Sequence, residues 1–252
     1  MNGTEGGAGG ARGELAGQTV VVVGGSAGIG LETARQVRAA GGELVLVARN
    51  AERLKQVAEE LNPLRTAAFD AQDTERLERF LKELPGQVDH VMVTAGGPLY
   101  TPLDELDLTE AGRDFGGRIA TMLAVARASR KKVRAGGTLL FVGGTGGRRP
   151  APGMAVMGAL TAALPALTAN LALEVAPVRV NLIAAGFVDT PLSASLLGDQ
   201  LEARREELRR TLPIRRVVGP ADVAALALHL MANGALTGAT YDIDGGQQLV
   251  AH

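Results

Sequence analysis

The stretch Val20-Val21-Val22-Val23-Gly24-Gly25-Ser26-Ala27-Gly28-Ile29-Gly30 joins four consecutive valines to a spaced cluster of glycines. An all-valine run predicts a strand buried on both faces, and the glycines predict a tight turn that leads into a helix. Backbone amides at the start of a helix can face a pyrophosphate, and glycines keep Cβ atoms out of its way. The order of strand, turn and helix therefore predicts a dinucleotide phosphate site. Its residues are Gly24, Ser26, Gly28, Ile29 and Gly30.

Apolar runs and longer amphipathic stretches alternate along the rest of the chain. Six runs predict strands, over residues 19–23, 44–47, 88–93, 138–142, 178–183 and 240–243. Six stretches predict helices, over residues 31–40, 51–61, 74–84, 119–132, 154–174 and 221–231. Right-handed crossovers place such βα units side by side in a parallel sheet that helices cover. We therefore expect an α/β fold: a single-domain doubly wound parallel sheet, a Rossmann fold, with helices on both faces.

Two segments stand outside this alternation. Residues 1–13 are rich in glycine and lack the apolar run of a signal peptide, so we expect a disordered N-terminal arm before a single domain over 14–252. Residues 189–212 interrupt the alternation just after a strand end and are densely charged over 202–210. An insertion at the end of a strand in such a sheet lies beside the ligand crevice. We expect 189–212 to form a lid.

The composition excludes several classes of partner. A formal net charge of −1 offers no basic field for nucleic acid. The chain has no cysteine, which excludes disulfides and thiolate zinc sites, and its three histidines are too scattered to indicate a metal. No unbroken apolar stretch has the length of a membrane span. We expect a cytoplasmic protein with a small-molecule substrate and with neither nucleic acid nor membrane as partner.

The second predicted strand ends at Arg49, about twenty residues beyond the glycine turn. An NAD-binding site usually carries Asp or Glu here for the ribose hydroxyls. A planar guanidinium can instead hold a 2′-phosphate through paired hydrogen bonds, whereas a carboxylate would repel it. We therefore expect NADPH/NADP as cofactor in preference to NADH, whose use remains open. The alternative interpretation of Arg49 is a solvated charge at a strand end.

With these residues the chain resembles the short-chain dehydrogenase/reductase family over residues 15–248. The glycines of the first stretch match the family's GxxxGxG. Thr94-Ala95-Gly96 matches the end of its Asn-Asn-Ala-Gly element, and Ala185–Thr190 resembles the Pro-Gly-x-x-x-Thr segment that holds the nicotinamide amide. Val23, Val93 and Ala185 depart from the family's usual residues. The cofactor contacts that the resemblance implies are Asp70 at the adenine, with Ala95, Gly96, Gly186, Val188 and Thr190.

The family's catalytic tetrad consists of Tyr, Lys, Ser and Asn. The resemblance implies that other residues occupy all four of these positions in this chain. Aligning residues 166–177 with the family places Met157 at the Tyr position and Thr161 at the Lys position. The Ser position falls on Gly144, and the Asn position on or near Gly117. No displaced Tyr-x-x-x-Lys pair is present. The remaining candidate substrate contacts are Thr145 and Met157.

Several residues near these positions have two interpretations. Thr145 can orient a carbonyl or bond its own backbone. Thr161 can reach a ribose in place of Lys, or bond a carbonyl one helical turn back. Met157 is expected to be a packing residue that lines the pocket, because a thioether is no acid. Arg148-Arg149 can approach an acidic substrate or cap a solvated loop, and Arg118 has the same two interpretations.

Loss of the positioned acid costs about 10²- to 10⁴-fold in rate, whereas alignment of hydride donor and acceptor is retained. A ketone beside a phenolic hydroxyl can supply its own acid, since a tyrosine phenol also has a pKa of about 10. In its replaced tetrad and composition the chain resembles the atypical ketoreductases of actinomycete angucyclinone pathways, the simocyclinone pathway among them. We expect an NADPH-preferring ketoreductase that reduces an aromatic polyketide ketone by substrate-assisted proton donation.

The alternative is a non-catalytic NADP(H)-binding sensor, or a silent subunit that assembles with an active relative. Loss of all four tetrad residues favours it. Apolar residues on the predicted lid favour an enzyme instead. The helices over 119–132 and 154–174 form the usual dimer contact in this family, so the resemblance implies a homo-oligomer.

Overall fold

The computed structural model of the protein describes residues 13–250, and a fully parallel sheet forms their centre. Its seven strands are β1 Thr19–Val23, β2 Glu43–Ala48, β3 Arg65–Ala68, β4 Val88–Val93, β5 Val133–Gly144, β6 Arg179–Ala185 and β7 Thr240–Ile243. They lie in the order β3-β2-β1-β4-β5-β6-β7, so the chain winds outward from the centre in both directions. The predicted α/β fold is confirmed. Apart from Gly13, the predicted N-terminal arm lies outside the described residues.

Helices connect the strands and cover both faces of the sheet. Along the described residues they are α1 Gly28–Ala39, α2 Ala51–Leu61, α3 Thr74–Lys82, α4 Leu108–Lys132, α5 Ala155–Glu174, α6 Pro191–Leu197, α7 Leu201–Thr211 and α8 Pro220–Ala232. Shorter 3-10 turns lie at Leu103–Glu105, Gly146–Arg148, Gly198–Gln200 and Gln247–Leu249.

The all-valine strand β1 explains why the core has two halves. Val20 and Val22 pack with residues of α1, α2 and α8, while Val21 and Val23 pack with residues of α3, α4 and α5. All four side chains are 0% exposed. Alternate side chains of a strand point to opposite faces, and only a strand covered on both faces can bury every residue.

Two elements differ from the sequence prediction. Strand β3 was not among the six predicted runs; it has four residues, contains no valine or isoleucine, and lies at the edge of the sheet with mostly exposed side chains. Helix α4 begins at Leu108 rather than near residue 119. Three glycines and several charged residues over 108–118 hide its periodicity, and the Asp107 carboxylate caps it by accepting from the amides of Thr109 and Glu110.

The segment predicted as a lid follows β6 and contains α6 and α7. Its base is closed by a parallel bridge between Val188 and Val218, in which the Asp189 amide donates to the Val218 carbonyl at 2.9 Å. The Asp189 carboxylate also accepts from two nitrogens of Arg205 on α7, at 2.8 and 2.9 Å. The lid segment is therefore anchored at its base and at one helix.

Helix α5 has the length and composition of a membrane span, with a mean hydropathy of 1.6, and it is the one such helix among the described residues. Its face toward the sheet is buried through Met157, Leu160, Leu164 and Leu171, within the hydrophobic core. A core helix of a globular domain passes the same test of length and composition. Along residues 13–250 no cluster of His, Cys, Asp or Glu has the arrangement of a metal site.

Candidate functional site

The glycine turn after β1 is forced by close packing of three segments. Gly24 has φ of 100°, and a Cβ there would lie 2.5 Å from Thr94 Oγ1 and 2.9 Å from the Ala95 amide nitrogen. A Cβ on Gly30 would lie 2.6 Å from the same hydroxyl and would overlap the Gly24 carbonyl. Only residues without a Cβ let the start of α1 approach the ends of β1 and β4 this closely.

The start of α1 has the properties of an anion site. No side chain caps this helix end, and its first turn contains no acidic residue. The first backbone amides of a helix lack intrahelical acceptors and lie at the positive end of the helix dipole. Gly28, with φ of 53°, is the first residue of the helix, and because it has no Cβ no side chain obstructs its amide. The turn and helix start therefore fit the pyrophosphate of a dinucleotide.

Arg49 and Asp70 follow the neighbouring strands β2 and β3, which pair through Ala48 and Ala68. This pairing brings the two predicted cofactor residues together, with Arg49 Nη1 4.0 Å from Asp70 Oδ2. Their side chains are 75% and 53% exposed, so the ion pair is weak and the guanidinium remains free to take a stronger anion. Asp70 is held in part by its acceptance of the Gln72 amide at 3.0 Å.

The segment after β6 lies directly over the glycine turn. The position of a Cβ on Gly28 is 3.5 Å from Cβ and Cγ2 of Thr190, so the two predicted cofactor segments are in contact range. The Thr190 hydroxyl caps α6 by accepting from the Ser193 amide at 3.2 Å. Val188 forms the bridge at the base of the lid segment. The structure thus gathers the residues of both segments at the carboxyl edge of the sheet.

Sequence reasoning missed Gln247, which fixes the backbone of this segment. Gln247 Oε1 accepts from the Phe187 amide at 2.9 Å, and a Cβ on Gly186 would lie 2.7 Å from the same oxygen. The signal for this contact was the Asp244-Gly245-Gly246 turn: both glycines have positive φ, 66° and 84°, and the turn brings the chain back across β6.

Arg148 and Arg149 hold the loop after β5 in place. Arg148 pairs with the Asp242 carboxylate and donates to Gln248 Oε1 at 3.0 Å. Arg149 donates to the backbone carbonyl of Gln247 at 2.6 Å and also to that of Val250. The two arginines bind the end of the described chain to the loop after β5: Arg148 does so as an exposed ion pair, with its side chain 43% exposed, and Arg149 as a partly buried residue.

The positions of the family's Ser, Tyr and Lys lie together but contain no acid. A Cβ on Gly144 would lie 3.6 Å from Thr161 Cγ2, so these two predicted positions are neighbours. The Thr161 hydroxyl donates to the Met157 carbonyl at 2.7 Å, one turn back along the helix. Met157 is 8% exposed and packs in the core. Thr145 is equally buried and makes no side-chain cap for the turn that it begins.

The loop after β5 rests directly on α5. A Cβ on Gly147 would lie 2.7 Å from the Gly158 carbonyl oxygen and 2.8 Å from the Ala162 amide nitrogen. Backbone therefore packs against backbone at the level of Thr161, where the family carries its lysine. This close approach depends on glycine on the loop and on small residues on the helix.

On α4, Gly117 and Arg118 have different neighbours. A Cβ on Gly117 would point at the Gln72 side chain, 3.1 Å from its Cδ, on the side of α3. Arg118 instead lies against Gly96 after β4, and its side chain is 19% exposed. The solvated interpretation of Arg118 is therefore wrong: the helix turns this side chain inward, where Asp114 Oδ2 accepts from its Nε at 3.2 Å.

The lid segment presents apolar side chains above this edge of the sheet. Leu192 and Leu196 of α6 are 44% and 48% exposed, while Phe187, Leu197 and Leu201 are partly exposed. Leu192 Cδ1 lies 3.6 Å from the position of a Cβ on Gly97, so α6 reaches across to the loop after β4. An exposed apolar face beside the glycine turn suits an apolar ligand.

Comparisons with known proteins agree with this geometry. The chain matches the model of a family described as enoyl-(acyl carrier protein) reductase over residues 23–248. It is 30% identical to dehydrogenase/reductase SDR family member 4 of Sus scrofa, with 92% of this chain and 88% of that protein covered. The structure of MalC reductase/Diels-Alderase from Malbranchea aurantiaca is similar at a TM-score of 0.87 and 25% identity, covering 95% of this chain and 99% of that one.

A further solved structure, that of BdcA in complex with NADPH, is similar at a TM-score of 0.83 and 26% identity, covering 93% of this chain and 96% of that one. The glycine turn, the open helix start and the seven-stranded sheet are the features that bind a nicotinamide dinucleotide in such a fold. Taken with the family model, which spans nearly the whole chain, they show that this protein belongs to the short-chain dehydrogenase/reductase family of oxidoreductases.

Proposed function

We propose that this protein is an NADPH-preferring ketoreductase that reduces a ketone of an aromatic, angucyclinone-like polyketide, an intermediate of antibiotic biosynthesis, and that the substrate itself donates the proton. The proposal rests on a contrast between two halves of the site. The glycine turn and helix start that fit a dinucleotide are intact, whereas Gly144, Met157 and Thr161 leave the catalytic positions without an acid. A protein that keeps the hydride donor and lacks the proton donor needs a substrate that carries its own.

The residues around the glycine turn would hold and orient the cofactor. The amides of Gly28 and the following residues bind the pyrophosphate, and Arg49 takes the 2′-phosphate with its planar guanidinium. The backbone of the segment Gly186–Thr190 orients the nicotinamide amide. Bound in this way, NADPH supplies the hydride. Alignment of the hydride donor and acceptor can lower the activation barrier by about 7–11 kcal/mol without any acid.

The proton would come from a phenolic hydroxyl next to the ketone. The hydride adds to the carbonyl carbon, the carbonyl electron pair moves to oxygen, and that oxygen takes the phenolic proton. The phenolate left behind then takes a proton from water. A phenol with a pKa of about 10 matches the missing tyrosine, and such transfer restores about 10²- to 10⁴-fold in rate. Thr145 and Met157 are the proposed substrate contacts at this end of the site.

Preference for NADPH is supported by the exposure of Arg49 at the end of β2. Its only partner among the described residues is Asp70 at 4.0 Å, and no acidic residue stands at its own position. BdcA, a relative of similar fold, was solved in complex with NADPH. A 2′-phosphate carries more charge than Asp70 and would displace it as the partner of Arg49.

An apolar, ring-shaped substrate is supported by the exposed leucines of the lid segment, Leu192 and Leu196. We propose that this segment, 189–212, closes on the substrate. MalC, one of the structures to which this chain is similar, is a reductase and Diels-Alderase by its description, so relatives of this fold include enzymes of ring chemistry. The resemblance to angucyclinone-pathway ketoreductases narrows the proposed substrate to fused aromatic ketones.

The same fold supports a homo-oligomer. The outward face of α5 carries Ala155, Ala159, Ala162, Ala166, Ala169 and Leu173, all exposed. Such an apolar stripe on a long helix is the kind of surface that a second copy covers. A silent NADP(H)-binding subunit or sensor is the second candidate function, and the buried Met157 in place of an acid favours it.

Turnover of three ketones by the purified protein tests these alternatives, with NADPH oxidation followed by absorbance. The first is a polycyclic ketone with a hydroxyl beside the carbonyl, the second its methyl ether, and the third a simple ketone without a phenol. We expect turnover of the first, and a rate at least about 10²-fold lower for the second. NADPH binding is measured separately by fluorescence titration.

Each outcome has one meaning. Equal rates for the hydroxyl compound and its methyl ether would refute substrate-assisted proton donation. Tight NADPH binding without turnover of any of the three would favour the silent subunit or sensor. Turnover of the simple ketone at the same rate would require an acid that Gly144, Met157 and Thr161 do not provide.

A further inference from the structure

The guanidinium of Arg118 lies against the loop that follows β4. A Cβ on Gly96 would lie 2.8 Å from Arg118 Nη1 and 3.5 Å from Nη2, so the guanidinium contacts the bare backbone of this glycine. Gly96 has φ of 120°, a conformation that residues with a Cβ rarely adopt. The positively charged guanidinium of Arg118 therefore lies against Gly96, a residue predicted to contact the cofactor.

One nitrogen of this guanidinium has nothing to bond. Solvent does not reach Arg118 Nη2, and no acceptor for it exists among residues 13–250. The Asp114 carboxylate accepts from Nε alone, at 3.2 Å. It therefore fixes the side chain but gives no acceptor to the two terminal nitrogens of the guanidinium. A buried donor of a charged group that lacks an acceptor destabilises the folded state. Nη2 makes no hydrogen bond that would stabilise the fold, which indicates that a ligand supplies its acceptor.

The position of Arg118 favours a substrate oxygen as that acceptor. β4 and β5 are neighbours in the sheet, so the loop with Gly96 lies beside the loop with Gly144 and Thr145. Leu192 of the lid segment reaches Gly97 on the same loop. Arg49, by contrast, follows β2, and β1 separates β2 from β4 in the sheet, so Arg118 and Arg49 belong to different parts of the carboxyl edge.

The charged and titratable groups around Arg118 leave its charge available. Among residues 13–250, Asp114 is its one ion-pair partner. Tyr100, 55% exposed on the loop after β4, also feels this charge: partial burial raises the Tyr100 pKa, and the positive charge of Arg118 works against that rise. A cation that favours an ionised tyrosine would favour an ionised substrate phenol in the same way.

We infer that Arg118 is a catalytic residue of the reaction proposed above, on which this inference rests: it binds the substrate's phenol oxygen and stabilises the phenolate left when the phenolic proton moves to the reduced carbonyl. The guanidinium keeps its protons throughout and transfers none itself, because an arginine side chain is not deprotonated in proteins. The hydride comes from NADPH, the carbonyl oxygen takes the phenolic proton, and water returns a proton to the phenolate. Arg118 thus lowers the energy of the developing anion, as an oxyanion-stabilising group does.

A spectroscopic titration tests the contact without turnover. The probe is juglone, a naphthoquinone with a hydroxyl beside its carbonyl, bound to the protein in the presence of NADP⁺ so that no hydride is available. The absence of cysteine excludes thiol adducts with the quinone. The visible spectrum reports the ionisation of the hydroxyl as the pH is varied. We expect the wild-type protein to lower the apparent pKa of bound juglone by at least about one unit relative to Arg118→Gln, a tenfold shift in the equilibrium.

Matched variants separate the contact from structural effects. Arg113→Gln removes an exposed arginine of the same helix and is expected to leave the juglone pKa unchanged. Arg118→Lys keeps the positive charge without the fork and is expected to give an intermediate shift, which keeps the test valid should Arg118→Gln unfold. With the hydroxyl ketone, Arg118→Gln is expected to lower kcat by about 10- to 100-fold, and with its methyl ether by less than about threefold.

Three results would overturn the inference. The first is a juglone pKa that is the same in the wild type, Arg118→Gln and Arg118→Lys. The second is an equal loss of kcat for the hydroxyl ketone and the methyl ether. The third is a rise of at least about tenfold in the NADPH dissociation constant of Arg118→Gln with unchanged juglone binding, which would assign Arg118 to the cofactor. Failure of the proposed function alone is distinct from all three: the juglone pKa is then lowered by Arg118, but no ketone is reduced.

Discussion

The packing around Gly24 yields a sharp prediction for the substitution Gly24→Ala. The new Cβ would lie 2.5 Å from Thr94 Oγ1 and 2.9 Å from the Ala95 amide nitrogen. The hydroxyl can rotate away, but the amide belongs to the main chain after β4 and can move only if that loop moves. The φ of 100° adds strain of its own, because residues with a Cβ avoid this region.

The magnitude follows from these two terms. Holding a residue with a Cβ in a sparsely populated conformation costs about 1–3 kcal/mol. Forcing a methyl group into a filled space costs about 1–3 kcal/mol more. We therefore expect Gly24→Ala to lower the free energy of unfolding by about 2–6 kcal/mol, a large part of the 5–15 kcal/mol that is typical of a domain.

Urea unfolding followed by circular dichroism measures this loss, and NADPH binding to the folded variant is expected to weaken by at least about tenfold as the loop with Ala95 shifts. The matched control is Gly116→Ala on α4, where nothing lies within 4 Å of the new Cβ and φ is negative. That change is expected to stabilise the protein by about 0.5–1 kcal/mol, because Ala is the better helix former. If Gly24→Ala were as stable as Gly116→Ala and bound NADPH equally well, the account of the turn would be wrong.

Three further predictions follow from single contacts. Arg49→Glu is expected to raise the NADPH dissociation constant by about 10- to 100-fold and to change that of NADH by less than about threefold; paired fluorescence titrations with the two cofactors check this. Gln247→Ala removes the acceptor of the Phe187 amide and is expected to raise the KM for NADPH about 3- to 10-fold, whereas Gln247→Glu keeps an acceptor and a near-normal KM. Burial lowers the pKa of His90 to about 3, from an ordinary value of 6.5, so its neutral form stabilises the protein above pH 6.5. That contribution is lost as pH falls from 6.5 toward 3, at up to about 1.4 kcal/mol per pH unit. In urea unfolding at a series of pH values, His90→Gln is expected to reduce the dependence of the free energy of unfolding on pH over this range. An unchanged dependence would contradict the shifted pKa of His90.

The cofactor half of the site could be predicted from the sequence because its determinants are local. Glycines at 24, 28 and 30 are required by backbone conformation and close approach, and these needs appear as residue identity at fixed spacing. The valine run buried on both faces likewise predicts a central strand of a parallel sheet. The edge strand β3 could not be predicted in this way, since its four residues are mostly exposed and lack an apolar pattern.

The other half of the site depends on contacts between residues far apart in the chain. Alignment gave the loss of Tyr, Lys and Ser, but whether Arg118 faced solvent or the site was undetermined in the sequence, because the rotation of α4 depends on how the whole helix packs. The attachment of Arg148 and Arg149 to the end of the described chain joins residues about a hundred positions apart. Such contacts leave no periodic signal.

The sequence by itself therefore determined the fold class and the glycine turn, since both depend on residue type and short-range spacing. The tertiary structure alone decided that Gln247 accepts from the Phe187 amide and that the Thr161 hydroxyl donates to a carbonyl of its own helix. It also decided that the guanidinium of Arg118 lies against Gly96. The physical reason is that burial and hydrogen-bond partners belong to the packed chain: a polar group satisfied by water in the unfolded state finds its partner, or lacks one, only when distant segments meet.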